Sequence, residues 1–188
     1  MNDRGPFLWL SKKAPPAGFS ELPRGGMCVC TFLFVTRDDR ILLGKYADDP
    51  KWEELAGLDQ GRRLANMNGW TIPASHLKFG EDPRQTARRI GEQILLMKGG
   101  RYSEPRTEVD AYPSQWTPGE THYDIWFFVD AVPPKTYEGR APAWYRELGW
   151  HDPRTLAAGG YARAHEDVVA RWLTTRSDGT RHAAEPSR

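Results

Sequence analysis

The chain has 188 residues, with 26 Lys and Arg against 25 Asp and Glu, a formal net charge of +1. That balance argues against a domain that holds nucleic acid by phosphate neutralisation, which shows a basic excess, and against an acidic solvating chain. A hydrophobic fraction of 39% with eight Trp, seven Tyr and seven Phe supplies one sizeable core, while every apolar stretch falls far short of the ~20 residues that span a bilayer.

The predicted elements follow in chain order. Residues 1–26 gather prolines and glycines around Phe7, Trp9 and Phe19 and read as an extended arm rather than a secretory signal, so a cytoplasmic location is expected. Met27 to Thr36 and Ile41 to Tyr46 are β-branched and aromatic runs joined by Arg37-Asp38-Asp39-Arg40, a β-hairpin. Cys28 and Cys30 lie two apart, so in a strand they share a face, too strained for a disulfide, and as two ligands they fall short of a zinc site. They read as small buried strand residues, and no metal site is assigned. Residues 47–69 turn polar and predict a long loop with one short helical turn.

Trp70-Thr71-Ile72-Pro73 predicts a short strand, and Glu81-Asp82-Pro83 opens a helix that runs to about Met97 and stops at Gly99-Gly100. Further strands are expected at Thr107 to Tyr112, at His122 to Ala131 and at Glu147 to Trp150. Asp152-Pro153 starts a helical turn, and Ala162 to Leu173 predicts a helix with Ala164, Val168 and Trp172 on one face. The reading is one mixed α/β (α+β) domain at 27–173, with an arm at 1–26 and a disordered polar tail at 174–188.

Within this order, Trp70 to Met97 resembles the box of the Nudix family, a loop-helix-loop of the form G-x5-E-x7-R-E-U-x-E-E-x-G-U with U aliphatic. The hairpin ending in Gly44-Lys45-Tyr46, the Trp70-x-x-Pro73 segment, the aromatic strand Ile125-Trp126-Phe127-Phe128 and Glu147-x-x-Trp150 before a final helix follow the same family order. The resemblance covers most of the chain and implies a Nudix-like α/β/α sandwich with a mixed sheet. It also implies a hydrolase of a nucleoside diphosphate linked to another moiety, with Mg²⁺ as cofactor.

The box itself is degenerate. With the register set on Gly80-Glu81, the first glycine is Ser75, the glutamate is Glu81 and the arginine is Arg89. The three positions where the family has its metal-binding glutamates hold Ile90, Gln93 and Ile94; the first aliphatic position is Gly91 and the late glycine is Leu96. No shift of register restores a carboxylate pair. Between Glu81 and Lys98 there are three acids against four bases, so the segment where the family concentrates negative charge is itself positive. Magnesium needs clustered oxygen ligands, and carboxylates three or four residues apart on one helical face provide them. Ile90, Gln93 and Ile94 do not.

The resemblance gives Glu81 and Arg89 a scaffold role, because in the family these two commonly pair and shape the loop. With Ala87, Gly91 and Leu95 alongside Ile90 and Ile94, the helix gains a wide apolar stripe. The residues 47–69, the arm, an apolar ligand or another subunit are the candidates to cover it. Catalytic candidates are Glu81, Arg89, Glu92 and Gln93. Candidates to bind substrate are Trp70, Glu120, Asp124 and Trp126, with Trp116 a further aromatic able to stack on a base. Acids at Glu53, Glu54 and Asp59 and the histidines His76, His122 and His151 are weaker candidates for a general base.

Two function classes stand beside each other. One is a Nudix-like module with a degraded metal site that binds a nucleotide-like ligand, a protein partner or a second copy of itself, with weak or no hydrolysis. The other is an active Nudix-type hydrolase with a displaced Mg²⁺ site. Membrane and nucleic-acid partners are disfavoured.

Overall fold

A computed structural model describes the backbone of residues 8–9, 23–114, 117–156 and 159–182, and side chains within 23–114, 117–156 and 159–176. The aromatic contacts expected of the arm, Trp116 and residues 183–188 lie outside the described residues. In chain order the elements are β1 (Leu8–Trp9), β2 (Met27–Arg37), β3 (Arg40–Tyr46), α1 (Lys51–Ala56), α2 (Gln60–Asn66), β4 (Ala74–His76), α3 (Pro83–Arg89), β5 (Arg101–Tyr102), β6 (Arg106–Pro113), β7 (Thr121–Val132), β8 (Tyr145–His151) and α4 (His165–His182).

The long strand β2 organises the sheet. It runs parallel to β7 from Met27↔Tyr123 to Val35↔Ala131, and antiparallel to β1 and β4 along its other edge. β7 in turn carries β6 and β5 antiparallel. At its far end β2 turns into β3 through Asp38 and Asp39, both at positive φ, and β3 pairs with β8. Two consecutive left-handed residues make the tight turn whose twist suits a hairpin, and Asp tolerates that conformation.

Strand alternation sends side chains to two cores. Leu33 and Val35 of β2 with Val129 and Ala131 of β7 join Ala87, Ile90, Ile94 and Leu95 from the α3 side; Phe32 and Phe34 with Trp126 and Phe128 join Val168, Val169 and Trp172 of α4. Phe34 stacks on Trp172 at 4.5 Å between ring centroids. The result is an α/β/α sandwich around a mixed sheet, the layering that the sequence resemblance implies.

Four expectations are corrected. Residues 47–69 hold two short helices, α1 and α2, not one turn, because Asp59 accepts from the Arg62 N–H at 2.8 Å and caps a second helix. Trp70 and Thr71 make only isolated bridges, to Tyr161 and Gly44, and the strand proper begins after Pro73, which lacks an N–H for a ladder. The helix after Pro83 widens into a π-helical turn at Ile90–Ile94 and ends at Leu95, with Leu96 left-handed, before the glycine pair. Its last carbonyls have tertiary donors, Trp144 Nε1 to Ile94 at 2.9 Å and the Tyr137 hydroxyl to Leu95 at 3.1 Å. Finally, α4 begins at His165 and runs to His182, and Ala164 is an exposed residue at positive φ before it, while Val168 and Trp172 are buried as expected.

Candidate functional site

Polar residues collect at two places, one on each face of the sheet. The first is the loop into α3. Asp82 and Gln85 form a reciprocal capping box and Pro83 occupies the first turn, so the local sequence starts the helix just after Glu81. Arg89, two turns on, returns to Glu81 in a two-pronged ion pair, Nε to Oε1 at 2.7 Å and Nη2 to Oε2 at 2.8 Å. The same guanidinium donates to the Ser75 hydroxyl and to the His76 carbonyl, each at 3.0 Å. Glu81 also accepts from the Thr86 hydroxyl at 2.9 Å and the Lys78 N–H at 3.1 Å. Burial raises the Glu81 carboxyl, but these hydrogen bonds, Arg89 foremost, outweigh it and hold it below its ordinary range. Every oxygen and nitrogen here faces inward to another, which ties β4, the loop and α3 into one unit.

The positions that follow Arg89 do not fit a metal. Ile90 and Ile94 are 0% exposed and share the core with Trp52, Ala56 and Leu58 of residues 47–69. Glu92 and Gln93 point to solvent, with no described hydrogen bond or ion pair. Gly91 is needed for packing, since a Cβ there would sit 2.2 Å from the Tyr102 hydroxyl. A Mg²⁺ ion would meet two aliphatic side chains and one neutral amide at these positions, so no step through it is derived.

The second place lies on the α4 face, at the open end of the same strands. The β2–β7 register sets Cys28 beside Asp124, and His122 sits two residues earlier on β7, so all three share one face. Their ligand atoms lie within 4.8 Å of one another, and all three residues are buried. His122 Nδ1 faces the Gly25 carbonyl at 3.0 Å and Nε2 faces Asp124 Oδ1 at 3.3 Å, while the Tyr112 hydroxyl donates to Asp124 Oδ2 at 3.0 Å. Burial first, then Cys30 and Asp124, pushes the Cys28 thiol far up, which suits an inert thiol rather than a nucleophile. Burial and Asp124 likewise push Cys30 up to about 12.

Two guanidiniums reach this end from different elements. Arg62 of α2 donates to the Gly57 carbonyl at 3.2 Å, and Arg163, in the turn before α4, donates to the Tyr46 hydroxyl at 3.2 Å. Among the described residues neither has a carboxylate within 4.0 Å. Burial and then the charge of Arg163 lower the Arg62 value. Both cations act on His76, the pairing partner of Cys30; burial first, then Arg163 and Arg62, drives its imidazole down to about 3. His76 Nδ1 is buried without a partner.

The structure therefore brings Glu81 and Arg89 together and leaves Glu92 and Gln93 apart from them. Asp124 and Trp126 stand on the other face. Trp126 is 7% exposed, set edge-on to Phe32 at 5.8 Å, and Trp70 is 9% exposed, against the His151 ring at 4.1 Å and under Lys45 Nζ at 4.2 Å. Glu120 is a turn residue before β7, 4.0 Å from Arg24. Glu53, Glu54 and Asp59 are exposed on or beside the short helices, and His151 is half-buried on β8. Sequence reasoning missed Arg62, Arg163 and the grouping around Cys28. His122 and Asp124 do repeat the two-residue spacing of Cys28 and Cys30, but only strand pairing sets the two doublets side by side.

No family model matches the chain, and no curated protein matches it. Solved structures share its outline. A MutT Nudix hydrolase from Burkholderia pseudomallei is 18% identical with a TM-score of 0.47, covering 77% of this chain and 96% of its own. The E. coli ORF135 protein is 17% identical with a TM-score of 0.49, covering 86% and 95%. A C. elegans Ap4A hydrolase is 12% identical with a TM-score of 0.49, covering 80% and 98%. At these identities and TM-scores the likeness is one of outline and assigns no activity.

Proposed function

We propose that this chain is a Nudix-like domain whose box-helix metal site is degraded and that it binds a nucleotide-like ligand with weak or no hydrolysis. The observation that carries the loss of catalysis is the complete burial of Ile90 and Ile94 in the domain's own core. Glu81 and Arg89, the matching residues that remain, are consumed in holding β4 to α3. Arg62 and Arg163 support the binding half, since two cations with no carboxylate partner among the described residues, at one end of the sheet, favour an anion such as a diphosphate.

The test has two stages. In a screen of nucleoside triphosphates, nucleotide sugars and dinucleoside polyphosphates with Mg²⁺ or Mn²⁺, no turnover is expected. In thermal-shift measurements on the same compounds, a ligand at 100 times its Kd raises the midpoint by about 5 °C, and Arg62→Ala and Arg163→Ala each abolish the rise. Turnover that survives Glu92→Ala and Gln93→Ala would replace this reading with a hydrolase using a displaced site. No shift with any compound would leave no nucleotide-binding role.

A further inference from the structure

We propose that Cys28, His122 and Asp124 form a binding site for a zinc-class divalent cation on the sheet face opposite the box helix. The inference stands independently of nucleotide binding.

The Gly25 carbonyl facing His122 Nδ1 at 3.0 Å only accepts, so Nδ1 carries the proton. Nε2 is then the ring nitrogen directed at Asp124 Oδ1, 3.3 Å away, and at the Cys28 side of the group. One imidazole nitrogen donating to a backbone carbonyl with the other directed at the ion is the usual way a protein orients a histidine ligand.

Geometry and donor chemistry agree. Metal–ligand lengths of ~2.0 to 2.3 Å make the edges of a tetrahedron about 3.3 to 3.7 Å long. The His122–Asp124 edge already has that length, and the Cys28 sulfur lies within 4.8 Å of both ligand atoms. One thiolate, one imidazole and one carboxylate form a borderline-soft set that suits Zn²⁺ and disfavours Mg²⁺ or Ca²⁺, which take all-oxygen shells. Tyr112, donating to Asp124 Oδ2 at 3.0 Å, fixes the carboxylate from outside the donor set. Coordination releases the Cys28 proton to solvent, and the three residues leave a fourth position for water or a small anion.

The parts come from β2 and β7, the central parallel pair, at the end where β1 also pairs with Cys28. Cys30, two residues on, faces the same side but is not in the group.

The full chain, stripped with a chelator and titrated with Co²⁺, tests this. One equivalent is expected to produce a sulfur-to-cobalt charge-transfer band with tetrahedral-strength d–d bands, all displaced by Zn²⁺. Cys28→Ser loses the charge-transfer band, Cys30→Ser keeps it, and Asp124→Asn and His122→Gln weaken affinity by more than about tenfold. Wild-type protein that gives no band at one equivalent overturns the site, with no variant needed. A band that persists in Cys28→Ser and disappears in Cys30→Ser overturns the ligand assignment.

Discussion

On the α3 side of the sheet, charge is spent on shape: Arg89 makes four contacts, two of them to Glu81, and Ile90 and Ile94 after it are given over to aliphatic packing. On the α4 side the polar groups are incompletely matched. Among the described residues Arg62 and Arg163 have no carboxylate within 4.0 Å, and His76 Nδ1 has no hydrogen-bond partner. The comparison teaches that the α3 face is closed by its own ion pair and apolar packing, whereas two cations without a carboxylate among the described residues lie across the sheet.

The sharpest way to break that contrast is to restore an acid on the α3 side. Ile94→Glu places an unpaired carboxylate among Trp52, Leu58 and Val129, and is expected to cost more than about 4 kcal/mol in urea unfolding. A folded variant that gains Mg²⁺-dependent hydrolysis would show instead that the metal site is dormant rather than replaced. Next in size, Arg89→Ala strands Glu81 and releases β4 from α3, and a loss of about 3 kcal/mol is expected in the same measurement. A change under about 0.5 kcal/mol would remove the scaffold role.

The remaining effect belongs to the other face and is read in pH. The His76 imidazole is held at about 3 in the folded chain against 6.5 unfolded, by burial and then by Arg163 and Arg62. As pH falls below 6.5 the unfolded chain takes a proton that the native chain refuses, so stability falls, by up to about 1.4 kcal/mol per pH unit for this group, until the folded value is reached. His165, depressed by burial and then Arg163, acts in the same direction. Comparing unfolding of the wild type and His76→Gln between pH 7 and 4 checks this: the variant should show the shallower fall, and an identical slope would mean that His76 is not held neutral by its surroundings.

Much of the fold is legible in residues. The β-branched and aromatic runs of β2 and β7, the hairpin at Asp38-Asp39 and the Asp82-Pro83 helix start are local events, set by strand propensity, turn conformation and capping. The absence of acids at Ile90, Gln93 and Ile94 is equally a matter of reading positions. Less legible were α2, whose signal is one capping Asp in a polar stretch, and the end of α3, which Trp144 and Tyr137 decide from about fifty residues away in sequence. Trp70, Trp116 and Trp126 illustrate the same limit, because an aromatic run has one appearance in sequence whether it packs a core or stacks on a base.

What the sequence alone determined was the mixed α/β class, the main strands and helix start, and the absence of a carboxylate cluster after Arg89, since each depends on neighbours within a turn or a strand; the sandwich layering was implied only by the family resemblance. Only the tertiary structure decided what covers Ile90 and Ile94, which cations stand without a carboxylate among the described residues, and that Cys28, His122 and Asp124 share one face. These depend on the parallel register of β2 against β7, a pairing about ninety residues distant along the chain. No local pattern encodes that register; it is fixed when both strands bury their alternate residues against α3 and α4.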